Sequence, residues 1–165
     1  MKKITTLLLI PTVAVFFSAF RPFPALKIEG AWKIVEVQTV RKDGSITSTL
    51  PTESFAYFNK GYYTFCWTSQ QGAPRVWAQS DSVKLARANQ SIVNAGSYTM
   101  NGETLQTKAL FAMSPMFVNG TATFTCSFKN DILILSGSNV ISSDNVPNPV
   151  YAAGSHIVNK LVRTQ

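Results

Sequence analysis

Histidine occurs once in these 165 residues, cysteine twice, and charged side chains make up only 14% of the chain. Each scarcity excludes something. His156 has no second imidazole with which to share a metal ion, and Cys66 and Cys126 lack the count and spacing of a zinc site, so no metal is expected. A catalytic triad would need a nucleophile beside that histidine, and neither cysteine sits in a recognisable nucleophile motif. Basic residues outnumber acidic ones, 15 to 8, yet past Lys2-Lys3 they are scattered, with no cluster longer than Arg41-Lys42. Nucleic-acid binders carry a concentrated basic footprint, so no nucleic acid is expected as partner. No Gly-rich loop closes a strand and opens a helix, and no cofactor is expected. Linkers, repeats and low-complexity tracts are also missing, which leaves one domain.

The uncharged run from Ile4 to Phe17 is shorter than the ~20 apolar residues that span a bilayer. It follows Lys2 and Lys3, and a basic start before an apolar stretch reads as a secretory signal. Cleavage is expected after Ala19 or Ala25, leaving a domain over residues 26–165; an uncleaved membrane tether is the alternative. No cysteine follows the run to carry a lipoprotein anchor. The expected location is therefore the periplasm or the extracellular space. There Cys66 and Cys126 could form one disulfide. Two thiols packed as small apolar side chains fit the sequence as well.

Strand character dominates the rest. "KIEGAWKIVEVQTV" (27–40) is rich in β-branched residues and ends at a turn containing Gly44. "SFAYFN" and "YYTFCWT" flank Lys60-Gly61 as a hairpin, with Tyr63, Phe65 and Trp67 on one face. "QSDSVKLARANQ" (79–90) changes the pattern to one short helix, with Ser80 or Asp81 as N-cap. Asn101-Gly102 is a hairpin signal between "SIVNAGSYTM" and "ETLQTKALFAM". "TATFTCSF" places Ala122, Phe124, Cys126 and Phe128 on one face, and "ILILSG" follows. A loop over 138–149 precedes a last run, "YAAGSHIVNKLVRT". Eight or nine strands with close turns predict an all-β fold, either an up-and-down antiparallel barrel or a sandwich, and a barrel leaves no edge exposed.

Three short motifs narrow this. Gly30-x-Trp32 opens the first strand, Gly96-x-Tyr98 follows the helix, and Lys160-Leu-Val-Arg163 closes the last strand. Together they resemble the lipocalin-like domains of the calycin group, of the secreted bacterial type, over residues 27 to 164. The resemblance implies an antiparallel barrel of about eight strands with one short helix. It also implies that Trp32 lies across the closed end, with Arg163 packed over it and Gly30 leaving room for the crossing. A guanidinium over an indole gains ~0.5–2 kcal/mol. The mid-chain motifs and C-terminal helix of eukaryotic lipocalins are not found, so knowledge of their ligands does not carry over.

An eight-stranded barrel is either filled or holds one small ligand. Apolar residues inside strongly patterned strands are the candidates to line such a site: Phe65, Trp67, Phe111, Met113 and Phe124. Trp77, Met116 and Phe117 fall in loops that could form its mouth. Glu36 shares parity with Trp32 and Ile34, so unless a bulge intervenes it points inward and could fix a polar ligand group. The expected function is binding of a small, mostly hydrophobic molecule. A filled barrel serving as a structural or interaction module, with a cell-envelope protein or membrane surface as partner, is the alternative. An enzyme using His156 or Glu36 in the cavity is a third reading that no motif supports.

Overall fold

The computed structural model describes residues 26–164, so the expected leader over 1–25 lies outside the described residues. Nine strands follow in order: β1 (Gly30–Val40), β2 (Ile46–Thr49), β3 (Glu53–Asn59), β4 (Tyr62–Thr68), β5 (Ser91–Asn101), β6 (Thr104–Ala112), β7 (Thr121–Lys129), β8 (Ile132–Ile141) and β9 (His156–Arg163). All pairings are antiparallel, and β9 returns to pair with β1, closing the sheet. Eight strands form the barrel. β2 is an extra short strand on the second half of β1, whose first half pairs with β3. The fold is the expected all-β, up-and-down barrel.

The two ends are built differently. At one end the connections β3–β4, β5–β6 and β7–β8 are two-residue turns, Lys60-Gly61, Gly102-Glu103 and Asn130-Asp131. Positive φ at Lys60, Gly61, Asn130 and Asp131 gives the twist that short hairpins require. The turn at Gly102 sits one residue later than Asn101-Gly102 suggests, because Asn101 is still paired, with Thr104. The other end carries the long connections. There lie helix α1 (Asp81–Asn89), a 3-10 turn (Pro115–Phe117) and helix α2 (Pro149–Ala152).

Helix α1 is the one expected, with Ser80 at its N-cap. Tyr151 and Ala152, expected in the last strand run, belong to α2. Asn148 caps this helix, its side chain accepting from the Val150 amide at 3.0 Å, and Pro149 follows with a φ suited to a first helical turn. Strand β8 also continues to Ile141, through the stretch expected as loop.

The turn-bearing end is solid. Ile28, Trp32, Ile34, Phe58, Leu105, Leu133 and Leu161 are fully buried there with Cys126. Trp32 and Arg163 are register partners, and the guanidinium carbon lies 4.4 Å from the indole centroid. The indole Nε1 donates to the Ile28 carbonyl at 2.7 Å, while Arg163 donates to the carbonyls of Glu29 (3.0 Å) and Lys27 (3.2 Å). Gly30 has φ +125°, and a Cβ there would meet Arg163 Nη1 at 2.6 Å. The stopper formed by Gly30, Trp32 and Arg163 is thus assembled as expected.

Candidate ligand-binding cavity

Three β-bulges set which side chains enter the barrel. They fall between Ile34 and Glu36 on β1, opposite Ala95/Gly96 on β6, and opposite Thr123/Phe124 on β8. Each inserts one residue and so exchanges the two faces of the strand beyond it. On β6 the inward set runs Leu105, Thr107, Ala109 and then Ala112; on β8 it runs Leu133, Leu135, Gly137 and then Val140. On β1, Ile34 is followed inside by Val37.

Above the solid floor the interior opens into a cavity of about 720 Å³. Its walls include Tyr63, Phe65 and Trp67 of β4, Phe124 of β7, and Ile157 and Asn159 of β9. The mouth is framed by Ala88 and Asn89 of α1, Met113, Met116 and Phe117 of the β6–β7 connection, and Pro147, Pro149 and Tyr151 around α2. Tyr151 packs its ring against Gly137, where any Cβ would collide with the phenol oxygen. This glycine is what admits the α2 side chain to the barrel rim.

Of the candidate ligand contacts, Phe65, Trp67, Met113 and Phe124 line this cavity. Phe111 and Glu36 do not, and both corrections have the same cause. Phe111 follows the β6 bulge, pairs with Ala95 on the outer face and is 60% exposed. Glu36 follows the β1 bulge and turns outward. Its carboxylate accepts from Lys160 Nζ (2.8 Å), Ser48 Oγ (2.7 Å) and Gln38 Nε2 (2.7 Å), clasping β1, β2 and β9 together. Met116 and Phe117 reach the mouth as expected, whereas Trp77 is fully exposed.

The Lys160 hydrogen bond, then those of Ser48 and Gln38, lowers the Glu36 pKa from 4.5 to about 2. A depressed carboxylate stabilises the fold above its unfolded pKa, and that contribution is lost as pH falls through the folded one. Thermal melts of the native chain and of Glu36→Gln should therefore diverge at neutral pH and converge between pH 4.5 and about 2. Parallel curves over that window would show that the clasp contributes nothing.

Cys66 and Cys126 are both free thiols. Cys66 faces outward on β4 and donates to the Phe55 carbonyl at 3.3 Å, while Cys126 is buried in the core. They lie on opposite sides of the barrel wall, so no disulfide joins them. Burial pushes the Cys126 thiol up to about 12, which keeps it protonated and unreactive.

The interior also holds polar residues that no sequence motif marks. Thr107 and Asn159 are 4% exposed and Tyr63 is 5% exposed, and all three line the cavity. Thr107 Oγ1 donates to the Ala122 carbonyl at 3.4 Å. The Tyr63 hydroxyl, near Thr107, has no hydrogen-bond partner among the described residues, and burial pushes its pKa up to about 12. A signal for Asn159 did exist: in "HIVNKLVR" it shares parity with Ile157 and Leu161, an amide between two inward aliphatics.

A second recess of about 530 Å³ lies outside the barrel, between α1 and the β3–β5 wall. Arg87 crosses it to pair with Glu53 at 2.6 Å, and the guanidinium's hydrogen bond lowers the pKa of that carboxyl.

The chain matches the family model of the lipocalin-like domain over residues 29–148, and it belongs to that family. Comparison with curated proteins and with solved structures gave no match.

Proposed function

We propose that the protein binds a small, mostly hydrophobic molecule in the open half of its barrel, and that it does so outside the cytoplasm as an exported bacterial protein. The observation that carries the binding reading is the cavity. At about 720 Å³ it falls within the ~300–1,000 Å³ typical of small-molecule sites, and its wall is mainly aromatic and aliphatic. Burial of ligand surface at ~25 cal/mol per Å² supplies the affinity. Support for export is confined to the sequence, in Lys2-Lys3 followed by the uncharged Ile4–Phe17. The alternative of a filled barrel describes the turn-bearing half, and the cavity in the other half favours binding.

Trp67 lines the cavity, so its fluorescence reports on occupancy. Titration with the fluorescent hydrocarbon diphenylhexatriene should give saturable binding with energy transfer from Trp67. Ala112 is 9% exposed and faces the cavity. Ala112→Trp places an indole in that space and should weaken binding by ~10-fold or more, leaving the melting temperature within a few degrees. Absence of saturable binding across hydrocarbons, fatty acids and retinoids would overturn the reading.

A further inference from the structure

We propose that the molecule held in the barrel is electrically neutral: an apolar body carrying an uncharged hydrogen-bonding group such as an ester, ketone or hydroxyl, which Asn159 meets. The inference rests on the barrel-binding reading and adds the chemical class of the ligand.

Among the described residues, the cavity wall contains no lysine, arginine, histidine, aspartate or glutamate. Charged residues next in sequence to its lining residues belong to the outer surface. Arg87 of α1 is held there by Glu53, and Lys160 by Glu36. Lys108 alternates with the inward Thr107 and so faces out. A carboxylate or ammonium entering the barrel would lose its hydration and meet no counter-charge, which is the most unfavourable way to bury an ion. Among the described residues, the titratable groups lining the cavity are the phenols of Tyr63 and Tyr151, and burial raises both, so each remains neutral.

The interior is nevertheless not purely hydrocarbon. Asn159 sits on β9 in register with Val37 and Leu135, two aliphatic residues that share its face. No hydrogen bond ties its side-chain amide to another described residue, and it is 4% exposed. Its amide is not among the sealed polar atoms of the described residues and lines the cavity, where it can bond what enters. An amide offers both donor and acceptor, so it suits a carbonyl, a hydroxyl or an ester equally. The Tyr63 hydroxyl, by contrast, is sealed within the wall and does not reach the open space. A neutral polar group on the ligand can bond the Asn159 amide without importing charge.

The test compares cis-parinaric acid with its methyl ester, which share one fluorescent chain, and uses diphenylhexatriene as a hydrocarbon control. With the unaltered protein at pH 8, the ester should bind ~10-fold or more tightly than the acid, because only the acid brings an unpaired charge. Lowering the pH to 5 should narrow the gap as the free carboxyl becomes protonated. Acid binding as tight as the ester at pH 8 would overturn the inference. In that event saturable diphenylhexatriene binding would still stand for the barrel-binding reading, and failure of all three probes would sink both.

Asn159→Leu replaces the amide with an apolar group of similar size. It should reduce ester affinity ~5-fold, leave diphenylhexatriene affinity unchanged and not lower the melting temperature. Should leucine prevent folding, Asn159→Val gives the same comparison with a smaller side chain. Equal effects on ester and hydrocarbon, or no effect on either, would remove Asn159 from the site.

Discussion

Trp32→Ala is expected to reduce the unfolding free energy by about 3–5 kcal/mol, the range for emptying a large buried aromatic site. Against a typical domain stability of roughly 5–15 kcal/mol this is a large fraction. Three losses combine. The indole is fully buried and its Nε1–H holds the Ile28 carbonyl. It packs at 6.0 Å between ring centroids against Phe128, and it carries the Arg163 guanidinium. Trp32→Phe keeps most of the apolar contact but strands the Ile28 carbonyl, so it should lose about 1–3 kcal/mol. Urea denaturation of the three chains checks the order. If Trp32→Ala lost less than about 1 kcal/mol, the closed end would owe its stability to something else.

Gly96→Ala is expected to be comparably severe, at ~3 kcal/mol or more, because the added methyl meets backbone instead of a movable side chain. A Cβ there would collide with the Lys108 carbonyl oxygen and lie 2.8 Å from the Leu110 nitrogen. This is the point where β5 crosses the β6 bulge, and the two backbones approach closely because position 96 has no side chain. Gly102→Ala is the natural control. It has open space around it but φ +58°, so only the left-handed conformation is penalised, at about 1–2 kcal/mol. Comparable midpoints for the two variants would show that the close approach at Gly96 is not what the residue provides.

The container was legible in the sequence because its signals are local. Alternation in "TATFTCSF", the Lys60-Gly61 turn and the Trp32–Arg163 pair each state a strand, a hairpin or a stopper within a few residues. The cavity wall was half legible. Phe65, Trp67 and Phe124 lie on strands whose own alternation runs unbroken, and counting by two placed them inside. Met113 was found as well, although it stands beyond a bulge. Parity with Trp32 and Ile34 put Glu36 inside, and the strand pattern of "ETLQTKALFAM" made Phe111 a lining candidate, whereas the structure has both outside. A bulge depends on pairing with a distant strand, so neither "ALFAM" nor "KIVEV" announces it. Small and polar lining residues such as Ala112 and Asn159 carry no comparable signal, because neither alanine nor asparagine is confined to a barrel's interior.

The three bulges divide each affected strand into a lower and an upper reading frame. Lengthening or shortening the upper segment by one residue would turn its outer side chains inward and its inner ones outward, while the floor beneath kept its packing. A residue inserted directly after Phe111, with the bulge kept, would point inward itself and turn Ala112 to the surface. Single-residue insertions and deletions above the floor are therefore a route by which descendants of this chain, or a designer, could change what the barrel holds without rebuilding it.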